Sequence, residues 1–149
     1  MLKNNVKTIL RSQVGMSLVE ILIAITLLGV VGTLVVSNVM DSLREGETET
    51  TKLQIKNLGK ILLDYKRKCL SYPDSDQGLE ALTAAPTSGR LCKRYPPNGF
   101  IQDGKIPDDP WGSPYEYESD GRKYTIISLG VDGLEGGEGW DADINSNDL

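Results

Sequence analysis

Residues 21–36 carry no charged side chain, and Glu20 is the only ionisable group between Met16 and Met40. A run this long and apolar has few ways to fold. In hydrocarbon the backbone must satisfy its own hydrogen bonds, which leaves a lone segment only the helix. Roughly 20 apolar residues in a helix are enough to cross a bilayer. Glu20 is then the anomaly, because a carboxylate at the centre of such a helix costs about 2.5–3.5 kcal/mol on insertion scales. A group kept at that cost usually has a partner.

The flanks orient the run. Lys3, Lys7 and Arg11 are all the charges in residues 1–15, which end in Gly15. Basic residues ahead of a span hold the N-terminus in the cytoplasm and place everything after Met40 across the membrane. A secretory signal peptide would carry its small-residue cleavage site after the apolar run. Here the run continues into Ser37-Asn38-Val39-Met40 without an Ala-x-Ala pattern. From these residues alone an uncleaved signal anchor is one reading. The chain divides into a leader over 1–15, a hydrophobic helix over 16–40 and a globular domain over 41–149.

Composition narrows what that domain does. About 110 residues build one small core but not two domains. Without Lys3, Lys7 and Arg11, the 16 basic residues fall to 13 against 21 acidic ones, a net charge of −8. An acidic chain with scattered cations is not expected to bind nucleic acid. The chain has no histidine, which removes the commonest general base and the usual zinc ligand. Paired carboxylates such as Asp108 and Asp109, or Asp141 and Asp143, have acid–base capacity. With no nucleophile elbow or phosphate loop beside them, no enzyme is expected, and Asp-Asp before Pro110 reads as turn chemistry.

The periodicity predicts an α+β fold. Ile55, Leu58, Leu62, Tyr65 and Cys69 fall at three- and four-residue steps, the apolar stripe of an amphipathic helix. One helix is expected over about 17–69, membrane-spanning first and half-buried later. Gly29 and Gly32 suit close helix packing, whereas Gly46 and Gly59 each weaken the helix by about 1 kcal/mol relative to Ala. Pro73 is expected to end the helical region, with Asp74 or Ser75 capping a short helix that turns Leu79 and Leu82 to the core. Asn98-Gly99 is a turn signal. Three prolines among residues 107–114 fix a turn and leave Trp111 free to plug the core. Residues 116–118 and 124–129 flank Ser119-Asp120-Gly121-Arg122, the pattern of a β-hairpin.

Three motifs carry a resemblance. Gly15-Met16-Ser17-Leu18-Val19-Glu20 resembles the processing site of type IV pilin-like proteins, with Met16 where Phe is usual. Tyr72-Pro73 followed by Gln77-Gly78-Leu79-Glu80-Ala81-Leu82, and Pro107-Asp108-Asp109-Pro110-Trp111-Gly112, are similar to segments of the major pseudopilins of the type II secretion system. The resemblance implies a long N-terminal helix packed on a small antiparallel sheet, with a calcium-stabilised C-terminal loop. It implies that prepilin peptidase cuts between Gly15 and Met16 and methylates the new amine of Met16. It also implies a single-pass protein of the bacterial inner membrane, its globular domain periplasmic. Such a subunit polymerises through its N-terminal helix, and the fibre drives folded proteins across the outer membrane. The implied partners are other copies of the chain, minor pseudopilins, the peptidase and the inner-membrane assembly platform. A type IV or competence pilin of a surface fibre is the alternative, and an uncleaved, membrane-anchored binding domain is a third class.

The acidic tail and the cysteines follow from there. Residues 130–145 hold five carboxylates on a glycine-rich backbone, and no basic residue follows Lys123. By composition this is a solvated tail; Asp141, Asp143 and Asn145 start like an EF-hand, but Ser146 replaces the required glycine. The resemblance points instead to Ca²⁺ held by the Leu129 carbonyl, Asp132 and Asp143, with the Val131 carbonyl and Asp141 as further candidates. Cys69 and Cys92 either form a disulfide, which export to an oxidising compartment permits, or leave Cys69 as a small core residue. Type IV pilins staple a loop nearer the C-terminus, and this pair does not. Cleavage after Gly15 also supplies a partner for Glu20: the Met16 amine, mostly cationic near neutral pH with an ordinary pKa of about 7.7–8.0. Within one helix that amine points away from Glu20, so the expected pair forms between staggered subunits.

Overall fold

A computed structural model describes residues 17–149, without the side chains at 34, 35, 37 and 38. Gly15 and Met16, the expected cleavage and methylation positions, lie outside the described residues. The chain forms two units, Met1–Met40 and Asp41–Leu149.

Helix α1 is Leu18–Cys69, close to the expected 17–69. In the first unit its described side chains are bare: Leu18 is 78% exposed and Leu28 70%. Among the described residues no helix is long and apolar enough to cross a membrane.

In the second unit the stripe does what its spacing predicts. Ile55, Leu58, Leu62 and Tyr65 are buried, with Cys69 half-buried against them. Leu79, Ala81, Leu82, Tyr115 and Ile126 complete the core. Gly59 has a packing role that outweighs its poor helix propensity, since a Cβ there would meet the Tyr124 hydroxyl at 2.7 Å. Two aromatic groups flank the helix. Phe100 packs on Tyr65 and Tyr95 with ring centroids 5.1 and 5.3 Å apart, and Tyr124 lies 4.8 Å from Tyr72.

The helix ends earlier than Pro73 requires. Leu70 adopts a left-handed conformation, φ 69°, and its N–H donates to the Lys66 carbonyl at 2.8 Å. This is the closure that a glycine usually provides. The expected cap of the following short helix is also different. The 3₁₀ turn Leu79–Leu82 has no side-chain cap. The Gln77 side-chain Oε1 instead accepts from the Asp74 N–H at 3.0 Å, and Ser75 bonds through its hydroxyl and amide to the Ser119 carbonyl. Ser75 therefore ties this segment to the hairpin, and neither Asp74 nor Ser75 caps the turn.

Strands β1 (Glu116–Ser119), β2 (Tyr124–Ser128) and β3 (Ile144–Asn145) form an antiparallel sheet in the order β1-β2-β3. The hairpin register pairs Glu116 with Ile127 and Ser119 with Tyr124. At its turn Asp120 Oδ1 accepts from the Lys123 and Arg122 amides, both at 2.8 Å. Those two bonds, Lys123 first, hold its carboxyl below the usual range. Strand β3, which pairs Ser128 with Ile144, is absent from the sequence expectation. Trp111 is a second difference: it is half-exposed and outside the core, and Tyr115 is the aromatic that this segment buries.

Candidate functional site

The C-terminal loop, residues 129–143, leaves β2 and returns as β3. Its base is set by Asp109. This carboxylate is 5% exposed, and Oδ1 accepts from the Trp111 and Ser113 amides at 3.1 and 2.8 Å. Its Oδ2 accepts from the hydroxyl of Ser128 at 2.7 Å. Both oxygens are occupied by turn and strand donors, so Asp109 does structural work, while Asp108 is exposed. The Asp109 to Ser128 bond was not foreseen from sequence; the local signal was an Asp placed to accept amides beyond its own Pro-Trp-Gly turn.

Above the base the loop's main-chain amides donate to its own carboxylates. Asp132 Oδ1 accepts from the Leu134 amide at 3.1 Å, and Asp143 Oδ2 accepts from the Gly136 amide at 2.9 Å. Gly137, φ 85°, leaves no room for a Cβ, which would stand 2.2 Å from the Asp141 carbonyl oxygen. Among the described residues no three acidic, cysteine or histidine side chains converge as a metal group. Asp143 Oδ1, however, is buried without a hydrogen-bond partner. A buried carboxylate oxygen left unpaired is costly, and an oxygen-seeking cation is one group that satisfies it. The expected ligands are all oxygen donors, so the residues fit a hard cation.

Cys69 and Cys92 are bonded as a disulfide across 23 residues, with Cα atoms 4.7 Å apart. Glu20, the expected assembly residue, is exposed; its expected partner Met16 is outside the described residues.

A family model for protein G of the type II secretion system matches residues 38–147. The chain belongs to the type II secretion system protein G family. Core protein G of Pseudomonas aeruginosa is 39% identical over 140 residues, covering 93% of this chain and 97% of the relative. That of Vibrio cholerae is 38% identical over 139 residues, covering 92% and 93%. The crystal structure of the major pseudopilin from the type 2 secretion system of enterohaemorrhagic Escherichia coli superposes with a TM-score of 0.65 at 28% identity. That match covers 75% of this chain and 96% of the other.

On this protein G family chain the loop also walls a cleft of about 360 Å³ against α1. Trp111 Nε1 donates to Glu47 Oε2 at 3.1 Å, and the Arg44 guanidinium lies 5.9 Å from the centre of the Trp140 ring. Trp140 is 48% exposed and Leu134 67%. The helix, the Pro-Trp-Gly turn and the acidic loop thus meet at one aromatic-lined, carboxylate-edged depression.

Proposed function

We propose that this chain is a structural subunit of the periplasmic pseudopilus of a type II secretion system. It is cut between Gly15 and Met16, methylated on Met16, held in the inner membrane by residues 16–40, and polymerised through that helix. The observation that carries the reading is membership of the protein G family over most of the globular domain. The bare apolar side chains of α1 in the first unit support it, since such a surface needs lipid or other helices around it. The partners are other copies, minor pseudopilins, the prepilin peptidase and the assembly platform. In the fibre Glu20 of one subunit meets the Met16 amine of the next, where an unpaired charge of either sign would be costly. The work is mechanical, with subunit addition at the base moving folded proteins outward.

Calcium belongs to the same proposal. Asp143, Asp132 and the Leu129 carbonyl would hold Ca²⁺, with Asp141 and the Val131 carbonyl completing the set. The unpartnered Asp143 Oδ1 supports this reading. The ion would supply a fixed positive charge to a loop with no core of its own, and the chain's residues supply the strand base that carries it.

N-terminal sequencing of the mature chain and a secretion assay of Glu20→Val test the function. The expected result is a methylated Met16 N-terminus and lost assembly in the variant. An intact leader, or normal fibres and secretion from Glu20→Val, would overturn the corresponding part.

A further inference from the structure

Leu70 is the only described non-glycine residue at positive φ, and it is 86% exposed. A left-handed leucine costs about 1–2 kcal/mol, and burial does not compensate it here. The bond to the Lys66 carbonyl that closes α1 accounts for the backbone and leaves the side chain in solvent. Leu91 is also exposed, at 62%; each leucine adjoins a bridged cysteine, and with the cysteine Cα atoms 4.7 Å apart the leucine Cα atoms lie within about 12 Å of each other. Arg67, Lys68, Lys93 and Arg94 surround the pair in sequence, and all four are exposed. The far end of the helix thus presents an apolar knob of two exposed leucines among basic residues, of which Arg67 is paired with Asp64 at 3.0 Å.

The cleft at the other end of the same unit is its complement. Trp111, Val131 and Trp140 line it together with three carboxylates, Glu47, Glu138 and Asp141, and one cation, Arg44. Glu47 and Lys68 are about 30 Å apart along α1 at 1.5 Å per residue. The two surfaces carry opposite net charge, each exposes apolar side chains, and they lie on the same unit.

We infer that the Leu70–Leu91 knob of one copy seats in the Trp111–Trp140 cleft of another copy in the fibre. A contact between two different patches of identical chains is heterologous, and if the rotation does not close it propagates as a filament. The contact is small. Within a polymer already held by N-terminal helices, however, the effective concentration is high and a small surface suffices. The inference rests on the pseudopilus reading and adds the pair of globular surfaces that set its stacking.

Fibres of the full processed chain test it, with a photo-crosslinking phenylalanine analogue at position 70 and mass-spectrometric mapping of the products. The expected crosslinks fall on residues 131–141 of a second copy. The variants Leu70→Gly and Leu91→Asp are compared in parallel for fibre yield and monomer melting. Leu70→Gly should melt no lower than the parent chain while fibre yield drops about tenfold, the scale of a lost interface anchor. Leu91→Asp, on an exposed side chain, should lose yield without losing monomer stability. Wild-type fibres whose position-70 crosslinks map elsewhere, or full yields from both variants, sink the inference and leave the pseudopilus reading standing. Absence of fibres from the wild-type chain in cells competent for secretion overturns both.

Discussion

Asp109 Oδ2 and the hydroxyl of Ser128 are joined by a 2.7 Å hydrogen bond between two buried side chains. That bond fastens the Pro-Trp-Gly turn to the end of β2, one residue before the C-terminal loop begins. The Ser128 oxygen also accepts from the Gly130 amide at 3.4 Å, so the same atom touches the loop's first turn.

Removing either partner is expected to destabilise the globular unit. Ser128→Ala strips one donor from a buried carboxylate and should cost about 1–3 kcal/mol. Asp109→Ala leaves the Trp111 and Ser113 amides and the Ser128 hydroxyl without their acceptor, and should cost more. Urea unfolding of the residue 41–149 unit within the full chain measures both. Equal stability of Asp109→Ala and the parent would remove the staple from the account.

Calcium should raise the melting temperature and shield the loop from protease, and a chelator should reverse both. Asp143→Asn keeps the side-chain volume and removes the charge, so its melting temperature should no longer respond to calcium. A response of parent size in Asp143→Asn would remove this residue from the ligand set.

The tyrosines set an alkaline limit. Burial pushes the hydroxyls of Tyr65, Tyr95, Tyr115, Tyr117 and Tyr124 above their ordinary value of 10.0. The folded state therefore holds these protons more tightly than the unfolded chain. Their contribution is fully present below pH 10 and is lost as pH rises from there toward the folded values. Melting temperature should fall steeply above about pH 10, together with the rise of tyrosinate absorbance near 295 nm. Tyrosinate appearing well before unfolding would contradict the burial of these hydroxyls.

The Cys69–Cys92 bridge closes a loop of 23 residues' separation, which the chain-entropy model values at about 3 kcal/mol. Cys69→Ser with Cys92→Ser should lower unfolding free energy by about that amount while leaving α1 helical by circular dichroism. An unchanged midpoint in denaturant would mean that the Leu79–Leu82 turn and Phe100 hold the segment unaided.

Local pattern made the helix legible and left the tertiary ties hidden. Ile55, Leu58, Leu62 and Tyr65 repeat with the helical period, and nothing in the fold competes with it. The Asp-Gly turn marked the hairpin because its chemistry is contained in four residues. Trp111 was misplaced because its size argues for the core, whereas its ring N–H finds Glu47 at the surface. Strand β3 has two residues, too few for any alternation to show. The Asp109 to Ser128 bond spans 19 residues, and only the fold brings them together. Ser75 likewise looked like a local cap and bonds instead to Ser119, 44 residues away.

The pairing of Ser128 with Ile144 means that the chain leaves the sheet and re-enters it on neighbouring strands. The ends of the loop are already joined whatever lies between them. Added or deleted residues there change closure entropy only slowly, by about 0.6 kcal/mol for each doubling of length, and they shift no residue of the core out of register. Length between the ligand positions of the loop is thus free to vary while the helix and sheet beneath stay the same.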